Sequence, residues 1–304
     1  MRISTSMIFQ QGATKISDLQ TNLVKTQQQL STGRRILTPA DDPVAAARAL
    51  DVTQSQSVNA QYATNRQSAV SSLTAVDSTL ASVTSVLQDV KTQTVYAGNG
   101  TLSNSDRSNL ATQLSSDLDQ LLALANTTDG IGNYLFSGYQ TGTQPFVKTA
   151  TGAQYNGDQG QRQIQVDSSR QMAVSDSGQA IFQGNNQDVF KTLTDLITLL
   201  QTPVTTPAGS AALTAGLSTA NGNIDQSLNN VLTTRASVGS RLRELDSLNS
   251  AGSSRDIQYS QTLSQLQDVD YAKAISQLTQ QQTTLQAAQQ SFVKIAGLSL
   301  FNYL

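Results

Sequence analysis

Leu73-Thr74-Ala75-Val76-Asp77-Ser78-Thr79-Leu80-Ala81-Ser82-Val83-Thr84-Ser85-Val86-Leu87-Gln88-Asp89-Val90 puts Leu or Val on both seam positions of a heptad, at 73, 76, 80, 83, 87 and 90. Side chains at that spacing form one apolar stripe along a helix, and a second helix must cover it. A candidate partner lies downstream. Leu217, Ile224, Val231, Val238 and Leu245 recur every seven residues, with Leu228 and Leu242 alongside. The fold class expected is mainly α, a long coiled-coil-like bundle.

Tyr96-Ala97-Gly98-Asn99-Gly100 interrupts the first run. Ser103 and Asp106 then give an S-x-x-D helix start, and Leu110, Leu114, Leu118 and Leu121 carry a helix onward. From about residue 131 to 184 the texture changes. Glycines are dense, Asn156-Gly157 reads as a hairpin turn, and Gln163-Ile164-Gln165-Val166-Asp167 alternates with period two. A small β-rich insert is predicted. Tyr134, Phe136, Tyr139, Phe146 and Tyr155 are read as its core, in preference to a carbohydrate platform, because aromatic rings bury the most area. Helices resume near Gln187 and pause at Pro203 and Pro207.

Both chain ends carry heptads of their own. Phe9, Ile16, Leu23, Leu30 and Leu37 are seven apart, with Leu19 on the companion position beside Gly12, Thr26 and Gly33. Tyr271, Leu278, Leu285 and Phe292 repeat the design, with Ala274, Ala288 and Ile295 on matching positions. Pattern alone allows two amphipathic helices on an ordinary core or two seams of an assembly. Magnitudes bear on the choice. Burying a large apolar side chain contributes roughly 1.5–3 kcal/mol, and ordering one residue costs roughly 1–2 kcal/mol of backbone entropy. So sparse a stripe is marginal alone. The expectation is that both arms are mobile in the single chain and fold when copies pack together.

Gly33 suits the left-handed position after a helix end. In Thr38-Pro39-Ala40-Asp41-Asp42-Pro43, Asp42 is read as the cap of the next helix, with Pro43 in its first turn. Asp41 and Asp42 are therefore assigned to a turn and cap, not to catalysis or a metal.

Composition narrows the function. The 304 residues include no Cys and no His. The usual zinc sites, a thiol nucleophile and a His-based triad are all excluded. A net charge of -2 offers no basic surface for nucleic acid. Gly98-Asn99-Gly100 is followed by no Gly-Lys-Ser/Thr, so it is no phosphate loop. No cofactor and no enzyme activity are expected. The start lacks an apolar signal-peptide core, and no stretch approaches a membrane span, so no cleaved signal and no membrane insertion are expected.

The segment Leu30-Ser31-Thr32-Gly33-Arg34-Arg35-Ile36, continuing to Asp41-Asp42-Pro43, resembles the N-terminal signature of the flagellin family. Arg235-Ala236-Ser237-Val238-Gly239-Ser240-Arg241-Leu242 is similar to its second helical motif, and the ending through Phe301-Asn302-Tyr303-Leu304 to its C-terminal arm. Met1-Arg2-Ile3-Ser4-Thr5 and Gly132-Asn133-Tyr134-Leu135-Phe136-Ser137-Gly138-Tyr139 resemble the members that sit between hook and filament. The resemblance implies a nested chain. Residues 1–42 with 256–304 form a terminal arm domain, 43–130 with 185–255 a helical bundle, and 131–184 the insert. It further implies a structural subunit that assembles helically with copies of itself. Its implied neighbours are the first hook-associated protein and flagellin, with the filament cap as a transient contact. A cytoplasmic chaperone on the C-terminal arm would escort it through the flagellar type III apparatus to the extracellular flagellum. A flagellin with a small outer domain is the alternative.

Overall fold

The computed structural model describes residues 3–185 and 187–297. The element order is α1 (Ile3–Thr32), α2 (Pro43–Ala97), α3 (Asn104–Ala125), β1 (Phe146–Thr149), β2 (Gly152–Tyr155), β3 (Gln163–Asp167), β4 (Arg170–Ala173), α4 (Gly178–Phe182), α5 (Val189–Gln201), α6 (Pro207–Gln267) and α7 (Tyr271–Gly297). The protein is mainly α with a small β insert. It divides into two compact units, Met1–Val58 with Ser254–Leu304, and Asn59–Ser253.

The second unit holds the core. Leu73, Val76, Leu80, Val83, Leu87 and Val90 of α2 are all buried, as are Leu217, Ile224, Val231, Val238 and Leu245 of α6. Leu114, Leu118 and Leu121 of α3 and Leu193, Leu196 and Leu200 of α5 complete the same cluster. Ser103 and Asp106 form a reciprocal capping box at the start of α3, as the sequence signals. One 18-residue window of α2 has mean hydropathy 1.2, apolar enough by composition to cross a membrane, and 44% of it is buried. The expectation that no stretch reaches that level is thereby corrected. Ala and Val flanking the seam raise the window.

In the insert, β1 pairs with β2 and β3 with β4, each as an antiparallel hairpin. The chain reverses between Thr149 and Gly152 and between Asp167 and Arg170, not at Asn156-Gly157. A two-residue primed turn needs positive φ at its first central residue, and type I′ at both, yet neither Asn156 nor Gly157 has it. Gly157 is instead a close approach: a Cβ there would lie 2.5 Å from the Tyr155 hydroxyl and 2.8 Å from the Ser137 carbonyl. The core of the insert is aromatic. Phe146 meets Tyr155, Phe182 and Phe190 at ring-centroid distances of 5.1, 5.5 and 4.9 Å, and Phe136 meets Phe182 at 5.6 Å. Tyr139 does not join them and is 66% exposed.

The first unit is built differently. Among its described residues, the only fully buried apolar side chains are Ala45, Ala49 and Ala274. Its helices α1 and α7 lie against one another, and among the described side chains no large one is enclosed between them.

Candidate assembly interface

The α1–α7 pair carries the predicted seam. Phe9 meets Phe292 edge to face, centroids 5.7 Å apart and planes at 84°. Phe9, Ile16, Leu19, Leu23 and Leu30 on α1, and Leu278, Leu285 and Phe292 on α7, are all half-buried. Tyr271 and Ile295 are exposed. A shallow groove of about 190 Å³ runs along the pair, with Phe9, Ile16, Phe292 and Ile295 in its wall. Further apolar side chains that the heptad count missed stand in water on the same two helices: Met7, Val24, Ile275 and Val293. They fall off the seven-residue register, so a search for one seam passes over them.

The motif residues that precede α2 form a clasp. Gly33 adopts φ +70°, which an L side chain rarely tolerates, and its carbonyl accepts from the Val269 amide at 2.9 Å. The Arg35 amide donates to the Gln267 carbonyl at 2.6 Å, and Arg34 bridges Asp268. Residues 33–35 thus pair antiparallel with the turn between α6 and α7. The Arg35 guanidinium donates to the Leu266 carbonyl at 2.8 Å and to Asp42 at 3.1 Å. Ile36 is half-buried beside them.

Both aspartates act within this loop. Asp42 accepts the Ala45 amide at 3.0 Å, capping α2 ahead of Pro43. That bond, followed by the one from Arg35, lowers its pKa. Asp41 accepts the Leu37 and Thr38 amides, each at 2.9 Å, and pairs with Lys25. Its pKa falls from 3.8 to about 2, chiefly through the Lys25 hydrogen bond and then through Thr38. Among the described residues, no cluster of three acidic groups is placed to hold a metal.

The second motif stands elsewhere, in the second unit. Arg235 donates to Asp77 of α2 at 3.1 Å. Arg241 takes both oxygens of Asp176 at 2.9 and 3.0 Å, fixing the chain beyond β4 to α6. Leu242 packs on the core, and Gly239 faces open space. The two motifs therefore belong to different units. Met1 and Arg2 of the opening motif, and the ending Phe301-Asn302-Tyr303-Leu304, lie outside the described residues.

The bacterial flagellin N-terminal helical region matches residues 3–141, and the bacterial flagellin C-terminal helical region matches residues 222–304. The chain is 41% identical to flagellar hook-associated protein 3 of Escherichia coli and 40% identical to that of Salmonella typhimurium, over 99% of each chain in both cases. In fold it is similar to the flagellar junction protein FlgL of Legionella pneumophila, with TM-score 0.65 and 22% identity over 73% of this chain and 100% of that one. Its full-length relatives are hook-associated proteins, which decides against the filament flagellin alternative. Helical ends matched by both flagellin regions, on a chain whose whole length follows hook-associated protein 3, show that the chain belongs to the flagellin family, within its hook-associated protein 3 group.

Proposed function

We propose that this chain is the structural adaptor between hook and filament, and that its two arms fold into an inner tube when copies assemble. The helical bundle then forms the surrounding wall, and the β insert the outer layer. One observation carries this reading: the large apolar side chains of the arms are left half-buried or exposed, although α1 and α7 are already paired. Covering them in neighbouring copies supplies the apolar burial that a single chain lacks. A structural role accounts for the bonds that Gly33, Arg35, Asp41, Asp42, Arg235 and Arg241 make.

In this reading the neighbours are the first hook-associated protein on one side and flagellin on the other, with the filament cap in transient contact. Export is through the flagellar type III apparatus. A cytoplasmic chaperone covers the α7 stripe from Leu278 to Phe292 until assembly. Cells lacking the chain are expected to carry hooks without filaments and to shed flagellin into the medium. Normal filaments on such cells would defeat the proposal.

The clasp gives the assembly an acid limit. Because the Asp41 pKa is depressed from 3.8 to about 2, its contribution is fully present above the unfolded value and is lost as pH falls through the folded one. Pelleted assemblies are therefore expected to come apart as pH drops from about 4 toward 2. Asp41→Asn should weaken them at neutral pH and flatten that acid transition. Identical pH midpoints for the two proteins would show that the Lys25–Asp41 contact plays no part.

A further inference from the structure

The heptad of α2 does not end where its leucines end. Counting back by seven from Leu87, Leu80 and Leu73 reaches Arg66 and Asn59, and counting forward on α6 from Val238 and Leu245 reaches Gly252. The buried members of the apolar cluster stop at Ala69 and Leu245, with Leu248 half-buried against them. Beyond that point the seam of the second unit is polar, yet still buried: Asn59 is 7% and Arg66 1% exposed.

The two polar positions are held unequally. Arg66 donates from Nε to Asn249 of α6 at 2.6 Å and from Nη1 to the Val166 carbonyl of β3 at 3.0 Å. Neighbouring Asn65 donates to the Gln165 carbonyl at 2.7 Å. Gly252 gives the guanidinium its room, since a Cβ there would lie 2.4 Å from Nη2. One side chain thus ties α2, α6 and the β3–β4 hairpin at a single level. Asn59 makes one bond, to the Gly252 carbonyl at 2.9 Å, and its buried Oδ1 has no partner. An asparagine at such a position fixes register while weakening the seam.

We propose that Arg66 is a stop that keeps unzipping of the α2–α6 pair from reaching the apolar core. This rests on the reading that the arms are unordered in the single chain. Both long helices run on from the second unit into the first, so disorder in the arms spreads along them. It passes Asn59 readily, because an amide with one bond is easily released into water. It halts at Arg66, because the guanidinium leaves only if its bonds to Asn249 and to the hairpin break together. A leucine held by area alone would yield gradually.

Hydrogen exchange on the full chain at high dilution tests this. In the unmodified protein, protection should begin between residues 59 and 66. In Arg66→Ala, amides 66–72 should exchange at least about tenfold faster while 76–90 are unchanged. Asn59→Leu, which leaves the Arg66 contacts in place, should slow amides 59–65 at least about tenfold. A smaller change in either variant would overturn the stop. Should Arg66→Ala not fold, the leucine variant decides alone. Arms as protected as residues 76–90 in the unmodified chain would instead refute the premise of unordered arms, a result visible before either variant is made.

Discussion

Leu285→Asp should abolish incorporation into the flagellum while leaving the melting temperature of the single chain within about 2 °C of the original. The two halves of that expectation have one cause. Leu285 is half-buried on α7, so in a lone chain water still reaches the new carboxylate, and the core of the second unit is not touched. In the proposed assembly the same stripe would be covered by neighbouring copies, and an unpaired charge would be enclosed in every subunit. Leaving a buried charge without its partner costs about 3–5 kcal/mol, which weakens each addition by roughly a hundredfold to several thousandfold at 1.4 kcal/mol per tenfold. Leu23→Asp should behave alike from the α1 side. Secreted but unincorporated protein, seen in the medium by immunoblot and absent from sheared flagella, is the readout. Leu285→Met, similar in volume and apolar, should incorporate normally. Filaments of ordinary number on cells carrying Leu285→Asp would mean that the stripe stays wet in the assembly.

How far these features were legible depends on whether their cause is local. The seam from Leu73 to Val90 reads directly because period and burial coincide at each position. Gly33 and Asp42 read directly as well, since a left-handed turn and a helix cap are decided within a few residues. What they clasp could not be read. The Arg35 guanidinium bonds to the Leu266 carbonyl 231 residues away, and no local pattern marks a main-chain acceptor. The insert itself was legible, but the place of its turns was not, for a related reason. Asn156-Gly157 has turn chemistry, but the glycine is required by the approach of Tyr155 and Ser137. Phe182 and Phe190 belong to the aromatic cluster, yet they stand beyond the strands in α4 and the first turn of α5. Arg66 shares the seam of Leu73 and Leu80, but its polarity takes it out of the apolar stripe. A list of apolar seam residues skips the polar ones, although their seven-residue spacing was there to be followed.

Phe146→Ala separates stability from assembly in the opposite sense. The ring is fully buried and touches three other aromatic side chains. Its backbone is fixed at both ends, with the amide donating to the Asn126 side chain and the carbonyl accepting from it, each at 2.9 Å. The site therefore has little freedom to collapse around a lost ring, and truncation should cost about 3–5 kcal/mol. For a cooperative unit of this size each kcal/mol moves the midpoint by about 2–4 °C, so melting followed by circular dichroism should fall by roughly 6–20 °C. Phe146→Leu, which keeps most of the apolar volume, should recover at least half of that loss. Below its new midpoint the alanine variant still presents an intact α1–α7 stripe, and it should enter flagella at low growth temperature. An unchanged midpoint would show that the aromatic cluster melts apart from the bundle. Exclusion from flagella in the cold would show that the outer insert, and not only the arms, takes part in the contact between copies.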